Sequence, residues 1–592
     1  MLFKELSDYY EKLEGVSSRL TMIDIMTELF KKTKPNEISK VVYITQGILA
    51  PAFEGVEFGM AEKMVEEAIA IATGYTKEEV EEEYKKTGDM GKAAQIMKEK
   101  SKLKRMSEKE YTVMEVYEHM LKIAKTSGPG SKDLKIKTLA NMIAASTPVE
   151  AKYIVKYPLD ELRLGVGDST VLEALSVVAT GNRSMKKELE EAYNRDPDLG
   201  SIAESAIKGA NSIKEHGVEI FKPIRPALAE RLPTAEQIME KMNGKAAVDQ
   251  KYDGFRCQVH KKGNKVKIFS RRLEDTTAMY PDLVEAVKKE VKADSIIFDG
   301  EALAYNEDTN EFLPFQQTIQ RKRKHGIEAK AVSMPLKLFA FDIMYLNGKS
   351  IMDEPYHKRR NMLESILKNS RTIVPSGQII TTSAKELEKY FQETIEDGLE
   401  GIIAKELNSK YVAGARKFTW IKLKRSYRGE LSDTLDLVIV GYFLGRGGRS
   451  EFQFGGLLCA TYNDKRDMFE TVSRIGSGFT EAQMIELKKT LDKIKEKGKP
   501  ARVDSNVVPD FWVYPKYVVT VKADEITQSP THTCGKQKQP DGLEVGYALR
   551  FPRLVGEEAV RRDKSVEEAT TTEEVIEMYK QQKRVSIGST ES

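Results

Sequence analysis

Lys251 lies in the run Lys251-Tyr252-Asp253-Gly254-Phe255-Arg256, and the chain later carries Phe298-Asp299-Gly300-Glu301, Glu400-Gly401-Ile402-Ile403-Ala404-Lys405 and Trp420-Ile421-Lys422-Leu423-Lys424. A lysine inside K-x-D-G, two carboxylates and then a lysine pair are the parts that nucleotidyl transfer through a lysine–nucleotide adduct requires. Phosphate oxygens need several cations around them, and a divalent metal needs hard carboxylate oxygens. A lysine amine serves as nucleophile once its pKa has fallen far enough to leave some of it neutral. Free lysine has a pKa of about 10.4, so near pH 7 only roughly one in several thousand is uncharged. A bound metal and nearby cations shift that balance toward the amine. Arg256, Arg271, Arg272, Lys422 and Lys424 are such neighbours. Taken alone, K-Y-D-G also reads as a β-turn with a solvated lysine; the ordered set of motifs favours the chemical reading.

These residues need strands to hold them. Cys257 and Val259, a Lys261-Lys262-Gly263-Asn264 turn, then Val266, Ile268 and Ser270 alternate as a β-hairpin. Residues 295–305 and 336–345 read as further strands, the second followed by Asn347-Gly348, a strong turn signal. The spacing predicts helices over 282–291 and 385–395. Alternation over 298–302 places Asp299 and Glu301 on one strand face, and alternation over 420–424 does the same for Lys422 and Lys424. Two lysines on one inward face repel unless an anion lies between them, and a triphosphate is such an anion. This central α+β region is preceded by a helical one, with Met64, Ala68, Ile71 and Ala72 expected on one helix face. After it come short strands at 435–444 and 454–462, separated by Gly445-Arg446-Gly447-Gly448-Arg449. That spacing suits a small β-barrel of the OB-fold kind, with Arg446 and Arg449 in a turn that could touch nucleic acid. Thr572-Glu573-Glu574-Val575 starts a last helix, and residues 585–592 read as a frayed end.

A length of 592 residues suggests three or four domains. Charged residues make up 31% and hydrophobic ones 40%, as in a globular chain. The 94 basic and 91 acidic residues leave a net charge of only +3, so contact with nucleic acid has to come from local clusters such as Arg321-Lys322-Arg323-Lys324-His325. Cys257, Cys459 and Cys534 lie far apart without C-x-x-C spacing, which indicates neither a disulfide framework nor a zinc site and fits a reducing cytoplasm. The charged start Met1-Leu2-Phe3-Lys4-Glu5 is no signal peptide, and no apolar run reaches membrane-spanning length.

Over nearly its whole length the chain resembles ATP-dependent DNA ligases of the archaeal and eukaryotic replicative type. Besides the motifs above, Gly88-Asp89-Met90-Gly91, Arg163-Leu164-Gly165-Val166-Gly167 and Pro223-Ile224-Arg225-Pro226 look like that family's DNA-binding signatures. Arg550-Phe551-Pro552-Arg553 and Arg561-Arg562-Asp563-Lys564 look like its last motifs. The resemblance implies three domains: a helical DNA-binding domain over 1–220, an adenylation domain over 221–429, and an OB-fold domain with a C-terminal helix over 430–592. It implies that Lys251 takes AMP from ATP, and that Glu301 and Glu400 hold Mg2+, Glu301 also meeting ribose. Asp249, where the family more often carries the longer Glu, would meet the adenine amino group, and Phe341 would stack on the base. Arg256, Arg271, Arg416, Lys422 and Lys424 would hold ribose or phosphate. Nicked double-stranded DNA is the implied substrate, with replication, repair and recombination as its setting. A sliding clamp is the implied protein partner of a monomeric, non-membrane enzyme. The motif set is shared with mRNA-capping guanylyltransferases and RNA ligases, but the long helical region argues against both. Bacterial NAD-dependent ligases carry a cysteine cluster that is missing here. A catalytically silent DNA clamp would have no use for the intact lysines and carboxylates.

Overall fold

The computed structural model describes residues 1–103, 109–306, 311–312, 318, 321, 327, 331, 334–397, 399–424, 434–445, 453–523, 525–538, 544–556 and 558–588; for residues 305, 306, 311, 312, 396, 416 and 581–588 it describes the backbone alone. Residues 322–325 of the basic run, Arg446, Arg449 and the expected domain boundary at residues 428–429 lie outside the described residues.

Up to Leu228 the described residues form helices and no strand, from Phe3–Glu14 to Ala210–Glu215. Their starts are written locally. Thr76, Thr112 and Thr147 each cap a helix and pair with Glu79, Glu115 and Glu150 in reciprocal capping boxes, each cap contributing about 1 kcal/mol. The helix Glu62–Thr73 buries Val65, Ala68, Ile69 and Ala72, while Ile71 is 55% exposed. Ile71 therefore lies off the expected face: the inward stripe runs through Val65 and Ile69, whose spacing matches 3.6 residues per turn better. The signature glycine Gly91 has a packing reason. A Cβ there would stand 2.6 Å from the Lys152 carbonyl, so the helices Met90–Glu99 and Pro148–Lys156 meet backbone to backbone.

The central region holds two sheets. The first has strands β1 (Leu228–Arg231), β2 (Ala246–Lys251), β10 (Gln378–Thr381), β11 (Gly401–Lys405) and β12 (Arg416–Lys424), in the order β1-β12-β11-β2-β10. Only the β1–β12 pairing is parallel. The second has β3 (Phe255–Lys262), β4 (Lys265–Ser270), β5 (Ser295–Asn306), β7 (Leu336–Leu346) and β8 (Lys349–Ser350) in the order β4-β3-β5-β7-β8. Here β6 (Glu311–Phe312) adds to β5 and β9 (Ile373–Pro375) to β7. The expected hairpin is β3–β4, and the expected helices are Pro281–Glu290 and Ala384–Glu396. Helices cover the outer faces, and a third apolar cluster that includes Ile297, Met344, Tyr411 and Trp420 joins the sheets.

The chain passes from the first sheet to the second between Lys251 and Phe255, through Tyr252-Asp253-Gly254. Gly254 is required there because a Cβ would fall 2.2 Å from the Ala302 carbonyl oxygen of β5. The nucleophile candidate thus sits at the junction of the two sheets.

The C-terminal region is an eight-stranded sheet in which β13 (Thr434–Phe443), β14 (Gly456–Asn463) and β15 (Met468–Ile475) are central and β19 (Val518–Lys522) pairs with β13. A three-stranded sheet and the helix Thr572–Gly588 complete this OB-fold domain. That helix takes in Val585 to Gly588, the first four residues of the end expected to fray.

The OB-fold domain touches both others. Arg163 donates to the Lys493 carbonyl at 2.7 Å, Lys493 pairs with Glu62 at 2.8 Å, and Lys516 pairs with Asp160 at 2.9 Å. The Arg502 guanidinium lies 3.0 Å from where a Cβ on Gly167 would be. On the other side Arg271 pairs with Glu568 at 2.8 Å and Arg272 donates to the Arg562 carbonyl at 3.1 Å.

Gly254→Ala should destabilise the central domain by about 1–3 kcal/mol, the usual cost of overpacking. A denaturant titration followed by tryptophan fluorescence reads this, since Trp420 belongs to that domain. An unchanged midpoint would show that the Tyr252–Gly254 turn relaxes without cost.

Candidate active site

A cavity of about 670 Å³ opens between the two central sheets and the edge of the OB-fold domain. The first sheet supplies Lys251, Ile403, Trp420, Lys422 and Lys424 to its lining; the second supplies Arg256, Glu301 and Phe341. Arg271, Arg272 and Glu400 come from loops, and Asp436 with Arg561, Arg562, Asp563 and Lys564 from the OB-fold domain. Lys251, Glu301, Glu400, Phe341, Arg256, Arg271, Lys422 and Lys424, all read from the sequence, thus meet in one place. The four residues Arg561 to Lys564 join them from a separate domain.

Register explains the convergence. Gly401 is paired with Lys251 on one side and Lys424 on the other, and the Glu400 N–H donates to the Lys251 carbonyl at 3.0 Å. Glu400 therefore stands between two lysine-bearing strand ends. Its carboxylate pairs with both the Lys251 and the Lys424 ammonium. Gly401 makes this possible: its φ is +149°, and a Cβ would lie 2.1 Å from the Leu423 carbonyl oxygen. In the second sheet Arg256 is directly opposite Glu301.

Electrostatics follow from this crowding. Burial pushes the Glu400 carboxyl up, but Lys251 and Lys424 outweigh it and hold its pKa at about 2. Burial dominates at Glu301, where Lys251 and Arg256 offset it only in part, and its pKa rises to about 7. Burial disfavours the Lys251 ammonium, yet Glu400, Glu301 and Asp253 outweigh it, so the Lys251 pKa is raised. Lys424 goes the other way, lowered by burial and by Lys251.

Arg256 is held from behind. It donates to Asp299 at 2.5 Å, to the Ala227 carbonyl at 2.8 Å and to the Tyr411 hydroxyl at 3.2 Å. Asp299, expected beside Glu301, is fully buried and serves Arg256 instead. Phe341 falls at a bulge: Asp299 pairs with Asp342 and Gly300 with Ala340, which leaves Phe341 without a partner on β5. A bulge re-aims a side chain, and it separates Phe341 from Phe339. Phe341 lines the cavity edge-on to Trp420 at 6.0 Å, whereas Phe339 stacks on Tyr252 at 4.1 Å.

Asp249 does not line the cavity. It is 1% exposed, and its carboxylate accepts from Lys405 at 2.7 Å, Gln378 at 2.5 Å, and Ser376 and the Tyr356 hydroxyl at 3.3 Å. Four donors saturate a carboxylate. Lys405 also donates to the Phe341 carbonyl at 2.9 Å, so Asp249 is joined through one lysine to the strand that carries Phe341. Lys405 itself was legible as the last residue of the Glu400–Lys405 run, but its sequence carried no sign that it would reach back to β2. Arg416 opens β12 opposite Leu228, and its side chain lies outside the described residues.

No cluster of three or more His, Cys, Asp and Glu occurs among the described residues. Glu301 and Glu400 are nonetheless a fitting donor pair for Mg2+, which takes one or two protein carboxylates and fills its remaining positions with water and phosphate oxygens.

Comparison with known proteins agrees with this geometry. Residues 2–176 match the model of the DNA ligase N terminus, 226–424 the ATP dependent DNA ligase domain, and 450–564 the ATP dependent DNA ligase C terminal region. A probable DNA ligase of Dictyoglomus turgidum is 47% identical over 588 residues, covering 99% of each chain. DNA ligases of Hyperthermus butylicus and Sulfurisphaera tokodaii are each 43% identical, covering 99% of this chain and 98% of their own length. With its K-x-D-G lysine motif, its carboxylates and its three matched regions in order, the chain belongs to the ATP-dependent DNA ligase family, of the type found in archaea.

Proposed function

We propose that Lys251 is the nucleophile of this ligase, and that the cavity shared by Lys251, Glu301, Glu400, Lys424 and the Arg561–Lys564 run is where ATP is consumed and the nick is sealed. The observation that carries this reading is the single carboxylate of Glu400 bridging Lys251 and Lys424 inside that cavity. The Lys251 amine attacks the α-phosphorus of ATP, a P–N bond forms, and the bond to pyrophosphate breaks. Lys422, Lys424 and the OB-fold cations offset the charge on the departing phosphates, which is most of what such a transfer asks of a protein. Arg256, fixed by Asp299 and Tyr411, is placed for ribose or phosphate, and Phe341 for the base. AMP then passes to the 5′-phosphate of the nick. The 3′-hydroxyl attacks that phosphorus, closes the phosphodiester and expels AMP.

The resting structure holds Lys251 in its inactive charge state, because Glu400 and Glu301 favour the ammonium. Glu400 and Glu301 would hold Mg2+, which would supply positive charge beside the bound triphosphate and so free Lys251 from its pairing. Once unpaired, Lys251 gives up its proton more readily. Glu400 is ionised at any working pH, whereas Glu301 changes charge near neutrality. On the family resemblance alone we add a monomeric state, a cytoplasmic setting and a sliding-clamp contact; three buried free cysteines are compatible with a reducing compartment.

Lys251→Ala should abolish the enzyme–AMP adduct formed with α-labelled ATP and still seal a pre-adenylated nick. Full labelling of this variant would sink the assignment. The Mg2+ concentration for half-maximal adduct formation should rise about tenfold for each pH unit below about 7, because a protonated Glu301 is no ligand. Glu301→Gln should flatten that dependence, and a wild-type Mg2+ requirement that is the same at pH 6 and pH 8 would remove Glu301 from the metal site.

A further inference from the structure

Lys564 and Arg561 reach the cavity from the OB-fold domain, and Asp436 meets both. Its carboxylate forms an ion pair with Lys564, lies 3.6 Å from Arg561, and accepts from the Thr520 hydroxyl at 2.8 Å. Arg561 is further held by Asp563 at 2.6 and 2.7 Å. The Asp436 backbone is fastened on both sides by Thr570: its N–H donates to Thr570 Oγ1 at 3.0 Å, and its carbonyl accepts from the Thr570 N–H at 2.7 Å. Thr520 is its partner across β13 and β19. Asp436 thus has little freedom, and it faces the same cavity as Lys251. Lys564 and Lys424 repel each other across that cavity. Glu400 is the anion that balances the central-domain side, and Asp436 stands in the matching place on the OB-fold side.

We infer that Asp436 is a positioning residue for adenylation: it aims Lys564 and Arg561 at the outer phosphates of ATP, and takes Lys564 back as counter-ion when pyrophosphate leaves. This rests on the Lys251 reading given above. Lys564 contributes to transfer only where it meets the outer phosphates, and an unanchored four-carbon chain would spend most of its time elsewhere. Sealing of a nick that already carries AMP involves no pyrophosphate, so it does not need Asp436.

Single-turnover assays of the full chain test this. Asp436→Asn should slow enzyme–AMP formation at saturating ATP by roughly 10- to 100-fold, the cost of a misplaced group. The ATP concentration for half-maximal rate should change far less, and sealing of a pre-adenylated nick should stay within about twofold of wild type. Asp436→Glu should recover part of the rate, and in a Lys564→Ala background Asp436→Asn should cost little more, since the two act as a unit. Adenylation by Asp436→Asn at the wild-type rate would overturn the inference. So would equal losses in adenylation and sealing, which mark a folding defect, or losses that add to those of Lys564→Ala. A wild-type chain that forms no adduct with ATP would overturn the Lys251 reading and this one with it.

Discussion

One carboxylate between two ammonium groups organises this molecule. Lys251 and Lys424 project from strands on either side of β11, and without Glu400 they would be like charges held together at the cavity wall. The local backbone is therefore built around Glu400. Gly401 takes a conformation that a side chain could not share with Leu423, and the Glu400 N–H is tied to the Lys251 carbonyl. On the proposed reading, the same pairing keeps Lys251 charged in the resting site. Stability of the resting site and readiness for chemistry are set by one group.

A second layer of charge comes from the OB-fold domain. Arg561, Arg562 and Lys564 lie over the cavity, and the domain is held there by contacts such as Arg271 with Glu568. On its far side it rests on Arg163 and Gly167, within a segment that the family resemblance associates with DNA. The described arrangement therefore brings cations of a second domain to the cavity that Lys251 lines. The contacts include ion pairs with exposed partners, Lys493 with Glu62 and Lys516 with Asp160, and such pairs are individually weak and salt-sensitive.

Much of this was legible from the chain alone, for identifiable reasons. Alternation located the β3–β4 hairpin, β7 and the shared face of Lys422 and Lys424, because strand period is strictly two. Ordered motifs located Lys251, Glu301 and Glu400. What could not be read was anything that depends on a departure from regularity or on a distant partner. The bulge that turns Phe341 away from Phe339 breaks the very period used to predict the strand. Asp249 follows the period correctly, yet the convergence of Lys405, Gln378 and Tyr356 on it from elsewhere in the chain carried no sequence signal. Ile71 was placed on the wrong helix face because several apolar residues in one turn leave the stripe ambiguous. Asp436 gave no signal at all: it is an acid at the start of a strand, and only the fold brings Lys564 to it.

The crossover at Tyr252-Asp253-Gly254 has a consequence for how this gene can vary. In β2, Lys251 faces the cavity while Val248 and Ala246 belong to the apolar core on the opposite side. Loss or gain of one residue in β2 would turn the lysine toward that core. The three-residue turn offers no slack to absorb such a change, since Gly254 already touches β5. A change in the length of the segment from Ala246 to Phe255 would therefore disturb the register of both sheets. Insertions have to be accommodated in outer loops, where neither sheet's register is at stake.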